Sequence, residues 1–250
     1  MKPLAETIFT ILVMLSLGAP IAAYVVLLLL GFLDKELDYL QLENKKMEME
    51  KELHRVEYLQ LSQQIQPHFL FNSLNAMLSL NRLGRTKDLT HALEEFSKFL
   101  RYKYTEKDAL VAFEEELAYT SHYISIQQIR FGNRLKVKID IQEDARRTYM
   151  PPYMMQTLVE NAFKHGLEKQ PGEKYLQIGL EREGNWVILF VADNGPGSEN
   201  ASFGVLGVGL INVKRRLELI YDLHSELSIN REAGSTILTV KWPYTPEGKV

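Results

Sequence analysis

The chain has 250 residues, with 29 Lys and Arg against 32 Asp and Glu and a formal net charge of -3. This near balance argues against a protein that binds nucleic acid directly, because such proteins usually carry a strong basic excess. The absence of cysteine excludes a disulfide framework, a thiol nucleophile and any Cys-ligated zinc or iron–sulfur site.

The first predicted element is an apolar segment, residues 8–33, that contains no charged side chain. It is longer than the ~20 residues that a helix needs to cross the hydrocarbon core of a membrane. Pro20 would kink such a helix, but each half is too short to span alone, so residues 1–33 are predicted to form one transmembrane anchor. A cleaved signal peptide beginning at Lys2 is the alternative, although the sequence stays apolar beyond the expected cleavage site.

Residues 34–60 are predicted to form a helical stalk. Five side chains, four of them apolar, recur there at heptad spacing: Leu33, Leu37, Leu40, Asn44 and Met47. This spacing predicts a parallel coiled coil and hence a homodimer, with Asn44 as a polar core residue that sets the register. A solvated amphipathic helix without a partner is the alternative interpretation.

Two further helices follow, over residues 59–80 and 88–104, with a short turn at residues 84–86. The proline before His68 predicts a kink in the first helix. Two antiparallel helices of this kind bury their apolar stripe best against a second copy. Residues 61–131 are therefore predicted to form a dimeric helical-hairpin domain. A lone histidine in a helix is usually structural, so composition alone gives His68 no special role.

From residue 132 to residue 250 the pattern changes to strands and longer loops, which predicts a two-layer α+β sandwich. Helices are expected over residues 153–166 and 210–223. Strands are expected near residues 135–141, 175–183, 186–192, 227–231 and 236–242. Gly184–Asn185 is predicted to make a tight hairpin turn between the second and third of these strands.

Four polar side chains lie close together on the predicted helix over residues 153–166, namely Glu160, Asn161, Lys164 and His165. Asn161 and His165 are four residues apart and would share one helical face. An amide oxygen suits a Mg²⁺ ion that keeps most of its water and bridges phosphates. Lys164 and His165 can donate charge-assisted hydrogen bonds to phosphate oxygens.

Glycines mark two more candidate nucleotide contacts. Asp193 ends a predicted strand and precedes glycines, so its carboxylate could accept a hydrogen bond from an exocyclic amine of a base. Gly207 and Gly209 precede a helix N-terminus, which is a natural site for phosphates. Each signal is weak alone, since Asp-Asn-Gly is usually a turn and Gly-x-Gly is common before helices.

Taken in order, these motifs resemble those of a known family. Gln-Pro-His-Phe-Leu-Phe-Asn, residues 66–72, is similar to the phospho-acceptor box of the LytS-type sensor histidine kinases. Residues 158–166, 193–197 and 207–209 resemble the N, G1 and G2 boxes of the GHKL (Bergerat) ATPases. The helix before residue 132 resembles the linker that joins the histidine and ATP domains of that family. The resemblance covers residues 60–243, most of the chain after the anchor.

The resemblance implies a role for each residue. His68 would accept the γ-phosphoryl group of ATP and pass it to an aspartate of a response regulator with a LytTR-type DNA-binding domain. Asn161 would hold Mg²⁺, Asp193 would recognise the adenine amino group, and the Thr236 hydroxyl would support that recognition. Four glycines would shape the pocket and its lid: Gly195, Gly197, Gly207 and Gly209.

Three positions near the chemistry are less defined. In related ATPases the carboxylate at Glu160 activates water, whereas here it would orient His68 or have no catalytic role. By analogy with other kinase families, Asn72 would position water for dephosphorylation of the partner. Many other histidine kinases place an acid directly after the phospho-acceptor, but Phe69 stands there, so the sequence does not identify the group that orients His68.

The family implies a sensor histidine kinase that uses ATP and Mg²⁺. It would be a single-pass protein of the cytoplasmic membrane, in contact with lipid, with its N-terminus outside and its kinase domains in the cytoplasm. Almost no chain remains for a sensor domain, so a membrane partner protein is expected to sense the stimulus. The alternative is a catalytically impaired, nucleotide-binding membrane scaffold that signals through dimer rearrangement.

Overall fold

The computed structural model describes residues 67–105, 107–196, 207–222, 224–232 and 234–246, with scattered positions between residues 8 and 49. The scattered positions are helical and belong to a first unit, residues 1–57, and the rest to a second unit, residues 58–250. None of the helices in the described part of the chain has the length and apolar character that a membrane crossing requires. Most of the predicted anchor and part of the predicted stalk lie outside the described residues.

The first described residues of the second unit form three helices: α1 (Pro67–Arg82), α2 (Thr86–Tyr104) and α3 (Phe113–Phe131). The predicted hairpin of α1 and α2 is confirmed, and α3 packs against both of its helices. The ring of Phe69 on α1 lies 5.1 Å from that of Phe99 on α2 and 4.6 Å from that of Tyr123 on α3. Part of the apolar stripe that the sequence assigns to a second copy is therefore covered by α3 of the same chain.

The main sheet of the second unit has five described strands: β2 (Leu135–Ile141), β4 (Lys174–Glu183), β5 (Trp186–Asp193), β6 (Glu226–Glu232) and β7 (Ser235–Pro243). Their order across the sheet is β2-β4-β5-β7-β6. The pair β2 and β4 is parallel and the other pairs are antiparallel. The predicted hairpin turn is confirmed, since Glu183 pairs with Trp186 and Gly184 has a φ of 61°. A two-strand ladder of β1 (Val111–Ala112) and β3 (Tyr149–Met150), absent from the sequence prediction, lies outside this sheet.

Buried and partly exposed residues alternate along the strands, so one face of the sheet lies in the core. Every second residue of β5 and β7 is buried and the residues between them are partly exposed. The buried face packs against α4 (Met154–Asn161), a following π-helical segment (Ala162–Leu167) and α5 (Val208–Tyr221). One hydrophobic core runs from this layer to Phe69 and Phe99 of the helical hairpin. The predicted combination of a helical part with an α/β sheet is confirmed.

The helix predicted over residues 153–166 differs in two ways from a regular α-helix. Tyr153 caps it in the left-handed conformation, with a φ of 63°, and the α-helix begins at Met154. The last turns are π-helical, so their hydrogen bonds close over five residues instead of four. Residues 162–167 are therefore rotated about the helix axis relative to the predicted positions.

Candidate active site

A cavity of about 230 Å³ lies between α4, the π-helical segment and the start of α5. Six residues that the sequence singles out line it: Glu160, Asn161, Lys164, His165, Gly207 and Gly209. The N-terminus of α5 opens directly onto the cavity, where its unpaired backbone N–H groups suit a phosphate. The structure thus brings together the predicted magnesium and phosphate residues, which are about 45 positions apart along the chain.

The π-helical segment presents Lys164 and His165 to the same cavity as Asn161. Burial lowers the pKa of His165, and the positive charges of Lys164, Lys169 and Arg231 lower it further. At neutral pH His165 is therefore a neutral hydrogen-bond donor, and Lys164 supplies the positive charge on this segment. An amide oxygen beside a lysine fits a Mg²⁺ ion that keeps several waters and shares its phosphate ligands.

Glu160 also lines the cavity, where its carboxylate accepts a hydrogen bond from Gln156. Burial raises the pKa of Glu160 to about 7, against the lowering effect of Lys103 and Lys164. A carboxyl group that titrates near neutrality in a cleft is typical of functional sites.

The loop after β5 forms a second cluster. Asp193 is buried, and its Oδ1 accepts a hydrogen bond of 2.8 Å from the backbone N–H of Gly195. Thr236 of β7 stands opposite Asp193 in the strand register. Burial raises the pKa of Asp193 to about 6, so it is ionised at neutral pH and can accept a hydrogen bond. Gly197 lies outside the described residues.

Gly166 joins the two clusters. It follows the cavity residue His165, and a Cβ atom on Gly166 would lie 1.9 Å from Oδ1 of Asp193. Only a glycine allows this close approach between the π-helical segment and the carboxylate. The predicted adenine residues therefore lie directly beside the predicted phosphate residues, although Asp193 and Thr236 do not line the cavity itself.

His68 projects from the first turn of α1, with a side chain that is 63% exposed. The amide nitrogen of Asn72, one turn later, lies 3.2 Å from Nδ1 and 3.1 Å from Nε2 of His68. The Oε2 atom of Glu168 lies 3.9 Å from Nδ1 of His68. Glu168 follows the π-helical segment directly, so one short stretch of chain reaches both the cavity and the candidate phospho-acceptor.

Two charged cavity residues were missed by the sequence analysis. Lys103 comes from α2 and Arg216 from α5, and both are buried. Each is a charged residue on an apolar helical stripe, since Lys103 lies four positions after Phe99 and Arg216 lies three positions after Val213. A buried charge on an apolar face is the signal that could have found them. Lys103 shows that the helical hairpin contributes to the wall of the cavity.

Glu116 of α3 is fully buried and supports the start of α4, where Tyr153 has a positive φ. Its Oε1 accepts hydrogen bonds from the backbone N–H of Tyr153, at 2.6 Å, and from the hydroxyl of Tyr102, at 3.3 Å. Burial raises the pKa of Glu116 to about 7, while the Tyr153 hydrogen bond and the charge of Arg216 oppose the rise.

We expect Glu116 to make the free energy of unfolding fall as the pH rises from about 4.5 to 7. The pKa of Glu116 is higher in the folded chain than its ordinary value of 4.5, so the folded state binds the proton more tightly and loses that advantage across this window. Glu160 and Asp193 act in the same direction, and His165, whose pKa is lowered by burial, acts in the opposite one. Across this window the free energy of unfolding of the Glu116→Gln variant should therefore fall by roughly 3 kcal/mol less than that of the parent chain, at about 1.4 kcal/mol per pKa unit.

Urea unfolding of the Glu116→Gln variant at a series of pH values measures this slope. Glu115→Gln, on the same helical turn but with an exposed side chain, is the matched control and should keep the slope of the parent chain. Identical slopes for the parent chain and the Glu116→Gln variant would contradict the prediction.

Several known proteins are similar to this chain. Residues 56–135 match the histidine kinase family. The Bacillus subtilis protein YwpD is 35% identical over 193 residues, which cover 73% of this chain and 69% of YwpD. The sensor histidine kinase YesM of the same organism is 31% identical over 195 residues, which cover 77% of this chain and 34% of YesM. The sensor protein LytS of Staphylococcus epidermidis is 26% identical over 217 residues, 82% of this chain and 36% of LytS. The match thus spans about a third of the length of the two named sensor proteins.

Proposed function

The chain belongs to the LytS-type sensor histidine kinases, and we propose that it transfers the γ-phosphoryl group of ATP to His68 and then to an aspartate of a response regulator. One observation carries this proposal. The segment over residues 161–168 lines the cavity with Asn161, Lys164 and His165 and ends at Glu168 beside His68. One short segment thus carries residues that would bind phosphate and a residue that lies beside the candidate acceptor.

The cavity would take the phosphates and the loop after β5 would take the base. Lys164 and the N-terminus of α5 would bind phosphate oxygens, and Asn161 would hold Mg²⁺ through its amide oxygen. When bound, the ion neutralises phosphate charge. Asp193 would accept a hydrogen bond from the adenine amine, with the Thr236 hydroxyl beside it.

The chemistry would rest on positioning and on charge neutralisation. A ring nitrogen of His68 attacks the γ-phosphorus, the bond to the β,γ-bridging oxygen breaks, and its electron pair leaves with ADP. Lys103 and Arg216 line the cavity, and their positive charge would stabilise the negative charge that develops on the departing phosphates. Asn72 would position water when the phosphorylated partner is hydrolysed.

The remainder of the chain would connect this kinase to a membrane and a signal. Residues 1–33 would form a single-pass anchor in the cytoplasmic membrane and residues 34–60 the coiled-coil stalk of a homodimer. Residues 61–131 and 132–250 would be the phosphotransfer and ATP-binding domains, both in the cytoplasm. The regulator would be of the LytTR type, and a membrane partner protein would detect the stimulus.

Incubation of the full chain in lipid nanodiscs with γ-labelled ATP and Mg²⁺ tests the proposal. We expect a protein-bound phosphate that is labile in acid and stable in base, which is the behaviour of phosphohistidine, and that does not form when EDTA removes the metal. Nucleotide binding without any label would instead favour the signalling scaffold. An acid-stable label would overturn phosphorylation on histidine.

A further inference from the structure

We propose that Glu168 holds the Nδ1–H of His68 and thereby makes Nε2 the atom that receives the phosphoryl group. The inference rests on the proposed function and names the orienting group that the sequence leaves unidentified. Phe69 occupies the position where other kinases have an acid, and the structure supplies a carboxylate from a different element.

The two oxygens of Glu168 have separate surroundings. Oε1 accepts a hydrogen bond from Nη1 of Arg130 on α3, and Oε2 faces Nδ1 of His68 at 3.9 Å. The Glu168 side chain is only 19% exposed, whereas that of His68 is 63% exposed. The carboxylate is therefore a fixed partner, and the histidine is the mobile one that can close the remaining distance by a small change of side-chain torsion.

The backbone also fixes Glu168. Its N–H donates a 2.8 Å hydrogen bond to the carbonyl of Phe163, which closes the π-helical segment. Arg130 is itself placed by α3, where Nη1 also reaches Oε1 of Gln127 at 3.5 Å. A carboxylate held by two elements and aimed at a third is preorganised, so little reorganisation is needed when charge develops on the ring.

Tautomer choice follows from this placement. A neutral imidazole carries one proton, and a carboxylate beside Nδ1 favours the tautomer with the proton on that nitrogen. The lone pair then lies on Nε2, where it accepts the hydrogen bond of the Asn72 amide at 3.1 Å until the phosphoryl group replaces that donor. The same arrangement fixes histidine orientation in catalytic triads, where the carboxylate also stabilises the imidazolium that forms.

Each step balances. The Nε2 lone pair forms the N–P bond, the bond between the γ-phosphorus and the β,γ-bridging oxygen breaks, and the electron pair stays on ADP. The ring is then a phosphorylated imidazolium, and it gives its Nδ1 proton to Glu168, from which the proton passes to solvent. No oxidant, reductant or further reactant is needed.

The test compares the parent chain with Glu168→Gln, Glu168→Asp and the control Glu183→Gln, an exposed carboxylate on the β4–β5 hairpin. We expect kcat for autophosphorylation to fall at least about 100-fold in Glu168→Gln, as for loss of a general base, with little change in KM for ATP. Glu168→Asp should recover part of kcat, and Glu183→Gln should match the parent chain. Nitrogen NMR of ¹⁵N-histidine-labelled protein should show that Nδ1 of His68 carries the proton in the parent chain and loses that preference in Glu168→Gln.

Phosphorus NMR of the parent phosphoprotein gives a readout that does not depend on any variant folding. Phosphate on Nε2 is expected, and phosphate on Nδ1 would overturn the inference. An unchanged kcat in Glu168→Gln, with a parent chain that does form phosphohistidine, would also overturn it while leaving the proposed function intact. A parent chain that forms no phosphohistidine would overturn both.

Discussion

Replacing Gly195 by alanine is expected to lower the free energy of unfolding by about 3 kcal/mol, the upper part of the range for overpacked sites. A Cβ atom there would lie 2.2 Å from Cα of Gly166 and 2.7 Å from Oδ1 of Asp193. The first clash is with backbone, so it cannot be relieved by a side-chain rotation. Either the loop after β5 or the π-helical segment must move, and the adenine and phosphate clusters then separate. We expect ATP affinity to fall roughly 100-fold or more as a result, equivalent to about 2.7 kcal/mol.

Urea unfolding and the fluorescence of a bound ATP analogue measure the two effects of the Gly195→Ala variant. Gly207→Ala is the matched comparison for folding, because a Cβ at Gly207 has no heavy atom within 4 Å among its described surroundings. Its unfolding midpoint should stay near that of the parent chain, although both glycines belong to the predicted nucleotide pocket. A Gly195→Ala variant with parental stability and ATP affinity would mean that these two segments do not approach as closely as described.

The His68→Gln variant is expected to lose all acid-labile phosphate, a decrease of at least about 10³-fold in label under conditions that saturate the parent chain. Glutamine keeps a polar side chain at this exposed position but has no nitrogen lone pair that can attack phosphorus. Because His68 does not line the cavity, ATP binding should be unchanged. Filter-bound label and equilibrium nucleotide binding, measured on the same preparation, separate the two properties.

His91→Gln is the matched control, since His91 is an exposed histidine on the neighbouring helix α2. It should incorporate label at the parental rate. If the His68→Gln variant retained label, or if His91→Gln lost it, the phospho-acceptor would have to be another residue.

Local patterns predicted most of the secondary structure. Strand β2 was expected at its observed bounds; β4 and β5 are one residue longer than expected at one end, and β6 and β7 are one residue longer at each end. Alternation of apolar residues is a property of neighbouring positions, so it is visible without the fold. The candidate nucleotide residues were equally accessible, since Asn161, Lys164 and His165 lie within one predicted helix.

Contacts between distant segments were not predictable in the same way. Glu168 reaches His68 across 100 positions of sequence, and no spacing rule relates them. The π-helical turns form because each N–H bonds a carbonyl five residues earlier instead of four. The apolar periodicity of residues 153–166 does not distinguish between these two patterns. The packing of α3 against the helical hairpin was not predicted, because the apolar residues of α3 were assigned to a linker and not to the core.

Aromatic packing connects α1 of the helical hairpin to the segment that lines the cavity. Phe69, the neighbour of His68, touches Tyr123, and the Tyr123 ring meets the edge of Phe163 with centroids 5.6 Å apart. Phe163 precedes the cavity residue Lys164. A torque that turns α1 about its axis must therefore either carry these rings with it or open a void between them. Packed cores tend to have discrete arrangements and not a continuous range, so we expect a rotation of α1 to change the candidate cavity in steps and not gradually.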